Sequence, residues 1–132
     1  MTDAPELTEL QIAILRILWD RGESTVQEIH AALAGERGLA LTTVATLLTR
    51  LVKRGVVARH EDGRVHRYTA RVSEPQVRQS MVGGLAARLF GGDVTEMVSH
   101  LLGGKDVSAD DLERIRALVE QRERELKEGT HD

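Results

Sequence analysis

The sequence contains no cysteine, so disulfides, zinc–thiolate centres and thiol chemistry are excluded at the outset. Aromatic residues are nearly absent as well: Trp19, Tyr68 and Phe90 are the only three in 132 residues. A core must therefore be assembled from Leu, Val, Ile and Ala, which suits packed helices. No apolar run approaches the roughly 20 residues that a membrane-spanning helix needs. The opening MTDAPELTE lacks the basic start and apolar stretch of a secretory signal, so a cytoplasmic protein is expected. The marks of an enzyme are also missing. There are no paired acid–base groups, no nucleophile with its base, and no glycine loop placed after a strand to cradle phosphate, and no cofactor is expected.

What is present is ordinary for a folded domain, with 41% hydrophobic and 30% charged residues. The length holds one domain, or a small domain with an oligomerisation appendage. A net charge of −3 conceals a polarity along the chain. Residues 41–71 carry seven basic side chains (Arg50, Lys53, Arg54, Arg59, Arg64, Arg67, Arg71) against two acidic ones, a local charge of +5. Residues 81–132 carry a charge of −4. A basic middle joined to an acidic tail indicates that one part meets a polyanion and the other does not.

Helix starts recur. Thr8-x-x-Gln11, Thr25-x-x-Glu28 and Ser73-x-x-Gln76 fit the capping box, and Ser108-x-x-Asp111 is a weaker acidic variant. After Thr8, Leu10, Ile14, Ile17 and Leu18 repeat at helical spacing, widened by Ile12, Leu15 and Trp19 and stopped at Arg21-Gly22; Trp19 reads as a core anchor. A shorter helix over about 25–34 turns Val26, Ile29 and Leu33 inward before Gly35 and Gly38 loosen the chain.

The next stretch, LTTVATLLTRLVKRG, places Val44, Leu47, Leu48 and Leu51 on one side of a helical wheel. Opposite them fall Thr42, Thr46, Thr49 and Lys53, with Thr43 and Arg50 on one flank and Ala45 on the other. Threonine is a mediocre helix former, because branching at Cβ restricts χ1 against the preceding turn. Four of them here form a hydroxyl-and-methyl surface edged with cations. Gly55 is the expected C′ residue. Then VVARHEDGRVHRYTA shows two β-prone runs around Asp62-Gly63, a hairpin with its turn at 61–64. Three helices followed by a hairpin is the order of a winged helix-turn-helix.

Beyond Ser73, the glycine pairs at 83–84, 91–92 and 103–104 divide a helical pattern into short pieces, and residues 108–127 form one longer helix. A nine-residue helix is unstable alone in water, so these pieces need packing partners. A homodimer joined by the C-terminal helices supplies them. Its contacts are expected at Leu85, Leu89, Phe90, Val94, Met97, Val98, Leu101, Leu102, Leu112, Ile115, Leu118 and Val119. A helix buried within one chain would give the same stripe, so both arrangements stay open.

The second helix of a helix-turn-helix motif enters the major groove and presents its outer face to base edges. A threonine hydroxyl can pair with base groups and its methyl can touch the thymine methyl. The expected DNA-binding residues are Thr42, Thr43, Thr46 and Thr49, with Arg50, Lys53 and Arg54 towards phosphate and Arg64, His66 and Arg67 on the wing. Two other readings remain: a winged helix that binds protein instead of DNA, and a metal cluster of His60, Glu61, Asp62 and His66, for which solvent-exposed wing histidines are the simpler account.

The stretches LTELQIAILRILWDRG, TTVATLLTRLVKRGVV, DGRVHRYTA and LFGGDVTEMVSHLL stand in the order found in the penicillinase-repressor family of BlaI/MecI type, which the chain resembles over nearly its whole length. The resemblance implies a mainly α protein. A winged helix-turn-helix DNA-binding domain, three helices plus a β-hairpin wing, would occupy residues 1–72, and a helical dimerisation domain residues 73–132. It implies a homodimeric repressor of β-lactamase or other antibiotic-response genes, with a double-stranded DNA operator and a membrane sensor-protease as partners. The family's DNA contacts fall on Thr42, Thr43, Thr46 and Arg50. Ala45 stands where some members carry a basic residue, so their operator sequence does not transfer. The family's cleavage bond aligns with His100-Leu101. Copper-responsive relatives use a C-terminal cysteine motif, which this chain lacks.

Overall fold

Five of the six helices among the described residues begin on a side chain that caps them. The computed structural model describes residues 7–129, without the side chains of 34–37; the first six residues of the opening stretch read above for a leader lie outside it. In chain order the elements are α1 (Glu9–Arg21), β1 (Ser24–Thr25), α2 (Val26–Arg37), α3 (Leu41–Lys53), β2 (Val57–Asp62), β3 (Val65–Ala70), α4 (Glu74–Phe90), α5 (Val94–Leu102) and α6 (Ala109–Gly129). All four capping boxes close reciprocally. The Thr8, Thr25, Ser73 and Ser108 hydroxyls each accept from the amide three residues on, and the Gln11, Glu28, Gln76 and Asp111 side chains each accept from the cap's own amide. For α5, the Asp93 carboxylate accepts from the Glu96 amide at 3.0 Å. Only α3 starts without such help: its N-cap is Ala40, and no side chain satisfies its first amides.

The chain divides into two compact units between Leu85 and Ala86, inside α4. The sequence reading separates the two functions at residue 72, where the wing ends. The first unit runs further because Val77 is buried in its core and Met81 packs against it. That core is aliphatic, as the scarcity of aromatics requires. Ile14, Leu15, Ile29, Val44, Leu48, Leu51, Val56 and Val57 are fully buried, with Tyr68 beside them. Each such side chain contributes about 1.5–3 kcal/mol by leaving water. Trp19 is half-buried against this core, and its Nε1–H donates to the Val72 carbonyl at 2.9 Å, tying the end of α1 to the chain leaving the sheet. His30 Nε2 donates to the Leu39 carbonyl at 2.7 Å and holds the α2–α3 connection in the same way.

The sheet is antiparallel in the order β1-β3-β2. The two-residue β1, which pairs Ser24 with Tyr68 and Thr25 with Arg67, adds a third strand that the hydrophobic pattern did not announce. In the wing, Asp62 pairs with Val65, so the loop is Gly63-Arg64, one residue later than a turn centred on Asp62-Gly63. Gly63 has φ +66° and no described residue other than glycine has positive φ; a lone left-handed glycine in first place is the arrangement of a II′ turn.

Two helix ends differ from the sequence reading. The Gly83-Gly84 pair does not break the chain: α4 runs through it to Phe90. Glycine weakens a helix but keeps its amide, so it ends one only where its freedom is used. Gly91 and Gly92 use it, at φ +57° and +85°. Likewise α2 continues past Gly35 to Arg37 and stops before Gly38, at φ +59°.

Gly83→Ala is expected to raise stability by about 0.5–1 kcal/mol in urea unfolding, because a Cβ there meets nothing within 4 Å and the backbone is helical. Gly91→Ala should lower it by about 1 kcal/mol or more. A lower midpoint for Gly83→Ala would mean that α4 does not run unbroken. The caps also have a pH signature. The Thr25 amide, aided by its hydroxyl, holds the Glu28 carboxyl below its ordinary 4.5, and the Ser108 amide and hydroxyl do the same for Asp111 below 3.8. Lowered values in the folded state mean that these two caps stabilise fully above the ordinary carboxylate range and lose that contribution as pH falls through the lowered values. The caps built on Gln11 and Gln76 have nothing to titrate. A carbon-detected NMR titration should give Glu28 a midpoint below 4.5 that returns upward in Thr25→Val.

Candidate nucleic-acid interface

The orientation of α3 follows from its apolar face. Val44, Leu48 and Leu51 are fully buried and Leu47 packs at the edge of the core, which leaves Thr42, Thr43, Thr46, Thr49, Arg50 and Lys53 exposed. Successive spacings of four and three residues put Thr42, Thr46, Thr49 and Lys53 on one ridge, with Thr43 and Arg50 on the next. The helix ends in a Schellman motif. Gly55 at φ +77° donates to the Val52 carbonyl, and Val56 donates to that of Leu51, both at 3.0 Å. This turn sends the chain into β2 with Val56 and Val57 buried, so α3 and the wing hang on one covalent corner.

Within the ridge the hydroxyls differ. Thr46 Oγ1 donates to the Thr42 carbonyl at 2.9 Å, and Thr49 Oγ1 to the Ala45 carbonyl at 3.0 Å. Thr42 and Thr43 make no such bond. On the wing, Arg64 and His66 are exposed. Arg67 is less available: it is about one-third exposed and its Nε donates to Asp62 Oδ2 at 3.1 Å. An exposed ion pair of this kind is worth at most about 1 kcal/mol, so a phosphate can compete for the guanidinium. His60 lies 3.3 Å from the Thr69 hydroxyl across the hairpin. No group of three His, Asp or Glu side chains among the described residues is placed to hold a metal ion. The uncapped start of α3 is the feature that sequence reasoning missed, although the absence of Ser, Thr, Asp or Asn at residue 40 was its signal.

The second unit presents a different surface. Neither α5 nor α6 has a buried residue. Leu89, Val94, Leu101 and Leu118 are each more than 60% exposed; Val98, Leu102, Leu112 and Val119 are exposed, and Phe90, Met97 and Ile115 half-buried. On α6, Leu112, Ile115, Val119 and Leu126 recur at spacings of three, four and seven, the pattern of a seam between helices. Val107, Ile115, Ala117 and Leu118 line an apolar depression along it. The ring of His100 lies 5.2 Å from that of Phe90, tilted by 55° to it. No helix among the described residues is long and apolar enough to cross a membrane.

The chain is similar to the transcriptional regulator BlaI of Mycobacterium tuberculosis, 36% identical over 123 residues that cover 91% of this chain and 88% of the relative. It is 22% identical to the penicillinase repressor of Bacillus licheniformis over 128 residues, 97% of this chain and all of the relative. Among solved structures, the monomeric form of Bacillus licheniformis BlaI in complex with the blaP half-operator matches 58% of this chain and 93% of its own, with 25% identity and a TM-score of 0.50. The family model for the penicillinase repressor matches residues 7–121. Both the winged-helix unit and most of the helical second unit fall within that match, and the chain belongs to the penicillinase repressor family.

Proposed function

We propose that the protein is a homodimeric transcriptional repressor that lays α3 of each protomer in the major groove of a palindromic operator. The observation that carries this reading is the threonine ridge of α3, turned outward by burial of Val44, Leu48 and Leu51 and flanked by Arg50 and Lys53. Threonines of this kind suit base edges, while the cations of the last turn, Arg54 included, suit phosphate as the helix leaves the groove. The wing adds Arg64 and His66 for the neighbouring backbone or minor groove, with Arg67 released from Asp62. That a relative is solved in complex with a half-operator supports operator DNA as the ligand. Half-sites one or two turns apart, roughly 10 or 20 base pairs centre to centre, follow from two-fold symmetry.

The dimer rests on the second unit, whose α5 and α6 bury no side chain within the protomer. A second copy covering Leu112, Ile115, Leu118 and Val119, with Leu85, Leu89 and the apolar residues of α5, would remove that surface from water. Regulated genes of the β-lactamase or antibiotic-response class accord with the family. Release by a membrane sensor-protease cutting at His100-Leu101 accords with the position of that bond near the end of a nine-residue helix set between glycine pairs.

Retardation of the protein's own promoter fragment at physiological salt is the first test; a protein-binding winged helix would leave the fragment unshifted. If the dimer meets about six to eight phosphates, log K should fall with log salt at a slope of roughly −5 to −7. Arg50→Ala should weaken binding to operator and random DNA alike and flatten that slope by about one. Leu118→Glu should shift sedimentation from dimer to monomer with little change in helical circular dichroism, and operator affinity should drop with it.

A further inference from the structure

The hydroxyl bonds inside α3 bear on what its middle can read, given the DNA-binding function proposed above. In a helix the branched side chain of threonine is restricted in χ1, and its oxygen can turn back to a carbonyl of the preceding turn. In Thr46 the oxygen occupies the well that reaches the Thr42 carbonyl, and in Thr49 the one that reaches Ala45. A hydroxyl has a single proton and two lone pairs. At both residues the proton is committed to the helix. The oxygen's lone pairs and the methyl remain for a ligand. To donate to a base, Thr46 must break the 2.9 Å bond; accepting from a base, or touching it with the methyl, leaves that bond intact.

The major-groove edges sort on this distinction. Guanine offers only acceptors there, N7 and O6, and cytosine an amino donor without a methyl. An A·T pair alone offers both an amino donor, on adenine N6, and a methyl, on thymine C5. The geometry points to Thr46 as a specificity-determining residue for an A·T pair, read through its acceptor oxygen and its methyl. Thr42 and Thr43, whose hydroxyls make no back-bond, keep the option of donating.

The test uses the full-length protein and a duplex it selects from a random pool. Three analogues are scanned through one half-site: purine for adenine, which removes the amino group; 7-deazaadenine, which removes the N7 acceptor; and uracil for thymine, which removes the methyl. Retardation is measured with wild type, Thr46→Val, which lacks the oxygen, and Thr46→Ser, which lacks the methyl. At one base pair, loss of the amino group should weaken wild type and Thr46→Ser by about five- to tenfold and leave Thr46→Val unaffected. Uracil at that pair should weaken wild type and Thr46→Val by about two- to threefold and leave Thr46→Ser unaffected. A 7-deazaadenine penalty that disappears in Thr46→Val would show a donor and overturn the inference. So would a half-site in which no analogue effect depends on residue 46. Because each variant retains one of the two contacts, neither pattern can arise from misfolding. If the pool yields no duplex enriched over random DNA, it is the DNA-binding reading that fails, and the assignment of Thr46 falls with it.

Discussion

The rotation of α3 about its own axis is fixed by three side chains. Val44, Leu48 and Leu51 have no exposed surface, and they meet Ile14, Leu15 and Ile29 from the two preceding helices in one aliphatic core. A turn of the helix by one residue would bring threonines inward and leucines into water, at a cost of several times the 1.5–3 kcal/mol that one buried aliphatic side chain contributes. The outward ridge is therefore a by-product of the core. The same helix ends on Gly55, whose left-handed backbone launches β2, so the wing inherits its position from the packing that orients α3.

Stability is distributed unevenly along the chain. The first unit holds nearly all of the buried side chains, and its ends are tied by long-range hydrogen bonds such as Trp19 to Val72. The second unit holds two helices, α5 and α6, with no fully buried side chain. Under the proposed dimer, the part of the molecule that touches DNA folds on local resources, and the part that sets its avidity depends on concentration. The acidic balance of residues 81–132 suits that separation, since this region would otherwise compete for the polyanion.

Much of this was open to reading in the residues. Four of the helix starts were, because a hydroxyl followed three places later by an amide or carboxylate has one local use, and all four such boxes close. The faces of α1 and α3 were, because period and composition agree; Gln11 is buried at 6% exposure only because its side chain serves the cap. What could not be read depends on context. A two-residue strand such as β1 has no period to detect, and exists because β3 offers it a partner edge. A glycine pair does not say whether its backbone turns left: 91–92 does and 83–84 does not. Nor does a threonine announce where its proton goes. Those of 46 and 49 go to the helix, which the side-chain positions alone reveal.

The bare start of α3 has an evolutionary corollary. Ala40 is exposed and stands where serine or aspartate would strengthen the helix by about 1 kcal/mol. A single nucleotide separates alanine codons from serine codons, so that gain is within easy mutational reach. Every other helix among the described residues has a side-chain cap of its own. The first turn beneath Thr42 and Thr43 is therefore the one helix entry among the described residues that no side chain holds.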